Sequence, residues 1–208
     1  MEIRDVLLLH EDFLSDFGFS LDPKSLHYTK DFPHGRQMIF FHYTQYEDVA
    51  YLEYHLGIRI DKVENIVHKF LPSLGDYRER SITLVETMDR VDKEMPRRFL
   101  IEDEMKINDI VENVEEFFVK KGFDFLDRLA EVNKLERYFN HDTKCVILTQ
   151  NFTYSSARGI TLAKLFNEPV YDEIKNEYLE MFNEKQETPF TLACFINLLD
   201  FLDHQLVS

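Results

Sequence analysis

In the segment Val49–Asp61 every even position is apolar and the odd positions are mostly polar. Ala50, Leu52, Tyr54, Leu56, Ile58 and Ile60 are apolar, and Glu53, His55, Arg59 and Asp61 fall between them. Side chains of a strand point to opposite faces in turn, so this run reads as a long β-strand with one face in a core. Gln37–Thr44 is also strand-like, and Gln45-Tyr46-Glu47-Asp48 reads as the loop joining the two into an antiparallel hairpin. Pairing Tyr43 with Ala50, Phe41 with Leu52 and Ile39 with Tyr54 collects the alternate apolar residues on one side. A slip of one residue would turn half of them to water. Tyr43, Ala50, Leu52, Tyr54, Leu56 and Ile58 are therefore expected core residues. The same register sets His42 opposite Tyr51, Phe40 opposite Glu53 and Met38 opposite His55 on the other face.

Other elements follow from period and punctuation. Apolar residues from Ile3 to Phe17 have helical spacing, and Gly18 supplies a stop. Ser25–Lys30 adds a third strand. Asp61 is the expected N-cap of a helix carrying Val63, Ile66, Val67, Phe70 and Leu71, which Pro72 ends. Ser81–Val85 and Arg98–Ile101 read as further strands around the connector Asp89–Pro96. From residue 105 the period is helical. Ile107, Ile110, Val111, Val114, Phe117 and Phe118 form a stripe stopped by Gly122, and Phe125 to Phe139 form the next. Cys145–Leu148 fits a short strand or a buried helical turn. Ser155-Ser156 is the expected cap of a later helix, and Pro169 and Pro189 mark helix starts. The expectation is one α+β domain over residues 1–208, with helix and antiparallel sheet in 1–104 and mainly helix in 105–208.

The order of these elements resembles a set of bacterial proteins grouped only as domains of unknown function. The residues that carry the resemblance are Phe17-Gly18-Phe19, Phe123-Asp124-Phe125-Leu126-Asp127-Arg128-Leu129, and the helix Leu162-Ala163-Lys164-Leu165-Phe166-Asn167 leading to Pro169 and Tyr171. These are packing residues, so the resemblance implies a fold and no activity.

Charge narrows the function classes. The chain has 39 acidic against 24 basic residues, a net charge of -15. Such a surface repels phosphate backbones and anionic lipid, so neither nucleic acid nor membrane is an expected partner, and a docking macromolecule should be basic. Two cysteines, Cys145 and Cys194, sit in apolar surroundings and are expected as buried free thiols in a cytoplasmic protein. The acidic start Met-Glu-Ile-Arg-Asp does not read as a secretion signal.

Motifs for chemistry are missing. Eight histidines occur, with no His-x-x-x-His, His-x-His or Glu-x-x-His spacing, so no metal is expected. No Gly-x-Ser-x-Gly elbow and no glycine-rich phosphate loop occurs, so no catalytic residue and no cofactor are assigned. Two surfaces remain. One is the hairpin's second face, where Phe40, His42, Tyr51, Glu53 and His55 mix rings with polar tips. The other is an acidic docking face of helical carboxylates, Glu112, Glu115 and Glu116 in one run and Asp172, Glu173 and Glu177 in another. The chain reads as a non-enzymatic binding protein for a protein partner, in the manner of an immunity protein that neutralises a basic toxin. The alternatives are a small-ligand binder or enzyme centred on the 37–60 hairpin, and a DNA mimic.

Overall fold

The computed structural model describes residues 3–72, 75–102, 107–141, 143 and 150–204. The chain is α+β and divides into two compact units, Met1–Arg59 with Leu84–Ala130, and Ile60–Thr83 with Glu131–Ser208. The division does not follow the change of period at residue 105.

The first unit is built on an antiparallel sheet. Its strands are β1 (Ser20–Asp22), β2 (His27–Phe32), β3 (Gly35–Gln45), β4 (Ala50–Ile60), β5 (Leu84–Thr87) and β6 (Phe99–Ile101). They run in the order β1-β2-β3-β4-β5, and β6 also pairs with β4. β5 lies along His55–Ile58 and β6 along Ala50–Leu52, so the alternating strand is held along most of its length.

The expected faces are present, in a pairing displaced by two residues. The amide of Tyr46 donates to the Val49 carbonyl at 2.8 Å, which closes a tighter turn than the expected Gln45–Asp48 loop. Phe41 then meets Tyr54, not Leu52, with ring centroids 4.7 Å apart, and Phe40 stacks on His55 at 4.9 Å. A shift of two keeps every side chain on its own face. Ala50, Leu52, Tyr54, Leu56 and Ile58 are all buried, but Tyr43 is only half-buried, and its hydroxyl donates to Gln45.

Helices close the core face. The expected opening helix is two, α1 (Ile3–Leu8) and α2 (Glu11–Asp16). Between them Leu9 and His10 make short turn bonds of 3.2 Å to the carbonyls of Val6 and Leu7, and His10 is turned inward. Gly18 adopts a positive φ of 83°, the left-handed exit that its lack of a Cβ permits. The helix α6 (Ile107–Phe117) does not end at Gly122. A π-helical turn over Phe118–Gly122 carries it into α7 (Phe123–Ala130). A Cβ on Gly122 would lie 2.6 Å from Phe118 Cδ1, so this glycine makes room for a ring. The short helix α5 (Met88–Val91) follows β5.

The second unit is helical. It contains α3 (Asp61–Phe70), α4 (Gly75–Arg80), α8 (Val132–Asn140), α9 (Phe152–Phe166), α10 (Tyr171–Glu184) and α11 (Pro189–His204), with a 3-10 turn over Glu168–Val170. The helix α9 is the hub, and α3, α8, α10 and α11 all pack on it. Nearly every side chain from Ser155 to Ala163 is buried, the signature of a helix enclosed on all sides.

Caps differ from expectation. Asp61 is already helical, and Ile60, in extended backbone, holds the position before α3. The cap of α9 is Asn151, whose Oδ1 accepts from the Thr153 amide at 2.9 Å. Ser155 and Ser156 instead donate to the Phe152 carbonyl inside the first turns. The expected Phe125–Phe139 stripe is interrupted at Glu131, where the chain passes from one unit to the other. Pro189 opens α11 and Pro169 opens the 3-10 turn, as the sequence suggests. Cys194 is half-buried, not buried as expected, and Cys145–Leu148 lies outside the described residues. Among the described residues no helix is long and apolar enough to cross a membrane.

Candidate functional sites

The five hairpin residues do come together on the second face of the first unit's sheet. Phe40 and His55 are buried, Tyr51 and Glu53 are half-buried, and His42 is exposed, so cover fades along the face. Phe40 and His55 stack almost parallel, with an interplanar angle of 6°. The displaced pairing shortens the diagonal between His42 and His55 and leaves their ring centroids 4.5 Å apart, where the expected register set them several residues apart. His27 reaches the same cluster from β2, 4.8 Å from Phe40.

Charged groups border this cluster. Glu53 Oε2 lies 3.9 Å from His55 Nε2, and its other oxygen lies 4.0 Å from Arg98 Nε. The Arg98 guanidinium sits over the Tyr51 ring at 5.2 Å. Burial, with His42 and Arg97 adding positive charge nearby, pushes the His55 imidazole down to about 4. Beside Tyr51 an open cleft of about 700 Å³ runs along Tyr46, Glu47, Asp48, Val49 and Arg98. Among the described residues no three histidine, cysteine or carboxylate side chains are arranged to hold a metal ion.

The two acidic runs belong to different units. In α6 the carboxylates are partly engaged inside the first unit. Glu115 Oε1 meets His10 Nδ1 at 3.2 Å, while His10 Nε2 meets the Tyr54 hydroxyl at 2.9 Å. Burial and the neighbouring Glu112 raise the Glu115 carboxyl, and burial pushes His10 down to about 4. Glu116 pairs with Lys120, and Glu112 is exposed.

In the second unit the run forms one wall of a groove. Glu173, Glu177, Glu180 and Glu184 of α10 face Glu136, Arg137 and Asn140 of α8 across about 480 Å³. Helical spacing of three and four residues stacks those four carboxylates in one row. Asp172 is exposed and does not line the groove. Glu177 is half-buried and accepts from the Thr143 hydroxyl at 2.6 Å.

The groove floor is fixed by hydrogen bonds from neutral donors. Asn140 Nδ2 donates to Glu136 Oε1 and to the Gly159 carbonyl, both at 2.9 Å, and Asn167 Nδ2 donates to Glu136 Oε2 at 2.9 Å. The Tyr178 hydroxyl donates to Asn140 Oδ1 at 2.9 Å. Gly159 permits this meeting, because a Cβ there would lie 2.3 Å from the Tyr178 oxygen and 2.7 Å from Asn140 Oδ1. Glu136 is thus a carboxylate buried on amide donors. Sequence reading passed over it because Leu-Glu-Arg-Tyr looks like an ordinary helix face.

A second hidden centre joins α3 to α9. Arg158 Nε and Nη2 grip Glu64 Oε1 and Oε2 at 2.8 and 2.9 Å, and His68 Nε2 lies 3.2 Å from Glu64 Oε2. Burial would raise the Glu64 carboxyl, but Arg158 and hydrogen bonds from His68, Arg158 and Ser81 outweigh it and hold it far below the usual range. The i, i+4 spacing of Glu64 and His68 was the visible signal; the partner 94 residues away was not.

No protein-family model matches the chain, and no curated protein or solved structure matches it. Function therefore rests on these sites alone.

Proposed function

We propose that the chain is a binding protein that holds a basic protein partner through the acidic groove of its second unit. The observation that carries this reading is the composition of the groove, whose lining among the described residues has five glutamates, Glu136 on one side and Glu173, Glu177, Glu180 and Glu184 on the other, with Arg137 as its one arginine or lysine. Carboxylates in a shared concavity sum their fields, draw a cation in from solution and favour its desolvated contact over anions. The network beneath supports the reading too, since Glu136 is held in place by the amides of Asn140 and Asn167 without a cationic partner among those bonds. Enzymatic chemistry is not part of the proposal, and neither is a role for nucleic acid.

The test uses an oligo-arginine peptide as probe. Reversal of three exposed groove carboxylates, Glu173→Lys, Glu180→Lys and Glu184→Lys, should weaken binding at least tenfold at low salt, about 1.4 kcal/mol. A control with the same change in net charge carries Asp12→Lys, Glu112→Lys and Glu116→Lys in the first unit. It should weaken binding much less. Equal loss in both variants would overturn the proposal, because the peptide would then report net charge and not the groove.

A further inference from the structure

The tip of the β3–β4 hairpin, in the first unit, carries a different arrangement. The bond from the Tyr46 amide to the Val49 carbonyl leaves Glu47 and Asp48 alone at the turn. Tyr46 and Tyr51 are then diagonal neighbours across the two strands on the second face. Their ring centroids lie 5.8 Å apart and their planes meet at 84°. These two rings, the two turn carboxylates, Val49 and Arg98 line the open cleft of about 700 Å³, a volume in the range of small-molecule sites. Access is direct, since Tyr46 is 56% exposed.

The lining selects for charge. The face of an aromatic ring is the negative end of its quadrupole, so two rings at a right angle attract a cation and repel an anion. Glu47 and Asp48 act in the same direction, and among the described residues neither is engaged in an ion pair. The net charge of -15 draws cations toward the surface from further off. Arg98 carries the opposite charge but shows the same preference. The pairing of Leu52 with Phe99 sets Arg98 beside Glu53, whose carboxylate lies 4.0 Å from its Nε. Its guanidinium rests over the Tyr51 ring at 5.2 Å, so the protein's own cation already uses that ring. The Arg98 side chain is 54% exposed and its ion pair is stretched, so little is lost when it swings out to water.

We infer that the cleft at the hairpin tip is a binding site for a small organic cation of the alkylated-ammonium class, seated against Tyr46 and Tyr51 in competition with Arg98. A charge clothed in methyl groups sheds its water more readily than a bare ammonium and gains more from the rings. Glu47 and Asp48 supply the counter-charge from the turn. The site lies in the other unit from the acidic groove and does not rest on it.

The test titrates the protein with choline and with its uncharged isostere, in which a quaternary carbon replaces the nitrogen. Choline should move the ring resonances of Tyr46 and Tyr51 saturably in nuclear magnetic resonance spectra. The isostere should bind about fivefold more weakly or worse, and Tyr46→Leu should weaken choline binding about threefold or more. Arg98→Gln removes the competing cation and should tighten it. Both substitutions change exposed side chains, and the wild-type titration reads the two rings directly even where a variant does not fold. An absence of saturable shifts at both rings would overturn the inference. So would equal binding of the isostere, choline binding unchanged in Tyr46→Leu, or binding that Arg98→Gln fails to tighten.

Discussion

Gly159 sits inside a buried helix, where glycine is normally worth about 1 kcal/mol less than alanine. Here its missing side chain is used, because Tyr178 and Asn140 meet above its Cα. Gly159→Ala should therefore destabilise the protein by about 1–3 kcal/mol, against the sign that helix propensity alone gives. Chemical denaturation measures this. Tyr178→Phe removes the closest atom, so the double variant should lose less than the sum of the single ones. Additive losses would show that the crowding is relieved elsewhere. At this scale the sequence was readable where polarity alternates, as in Leu52 and His55, and opaque where a residue acts by absence. Gly122 looks like a helix stop in one dimension; only the rings of Phe117 and Phe118 show what it is for.

Between elements, the contact most open to test is the Glu64–Arg158 pair joining α3 to α9. A fork-to-fork geometry with both oxygens occupied and both side chains at most 5% exposed leaves no water to replace a lost partner. Removing one charge strands the other, so Arg158→Met should cost about 3–5 kcal/mol and Glu64→Gln a comparable amount. The pair Glu64→Gln with Arg158→Met should recover part of the loss, which thermal denaturation of all three variants would show. Elements themselves were largely legible, since a period of two or of three to four residues writes itself into the chain. The hairpin pairing was read two residues out because faces constrain parity and the turn sets the rest. The Glu64–Arg158 pair was illegible for another reason: nothing local distinguishes a carboxylate that turns inward from one that faces water.

Across the whole molecule, acid should act first on the first unit. His10 and His55 are both held near 4, below the ordinary value of about 6.5, so the unfolded chain takes up protons that the folded chain refuses. Stability is then full above about pH 6.5 and falls as the pH drops toward 4, by up to about 1.4 kcal/mol per pH unit for each histidine. Glu64 in the second unit is also held below its ordinary value, but that value is lower than a histidine's, so its contribution is lost only as the pH falls through and below the ordinary glutamate range. Amide hydrogen exchange at mildly acidic pH should show the sheet of the first unit opening while α9 stays protected. His10→Gln should flatten the slope between pH 4 and 6.5 regardless of its effect on absolute stability. Loss of protection in both units together would mean that they unfold as one. The candidate sites show the same limit of sequence reading at this scale. The aromatic face was found because it lies on one hairpin, whereas the groove needed α8 and α10 brought together from 30 or more residues apart.

The interleaving of the two units has a consequence for how the chain is made. Synthesis runs from the N-terminus, and the first unit has all its segments once Ala130 has emerged. By then the segment Ile60–Thr83 has been out for some time, although α9 and α11, on which α3 packs, both follow Glu131. In that interval α3 carries an apolar stripe of Val63, Ile66 and Val67 and the charge of Glu64 with neither α9 nor Arg158 to receive them. A nascent chain is therefore half-finished in a particular way, with a completed sheet and an orphan segment, α3 and α4, in its middle. That orphan is the natural place for a chaperone to hold the chain or for a protease to cut it.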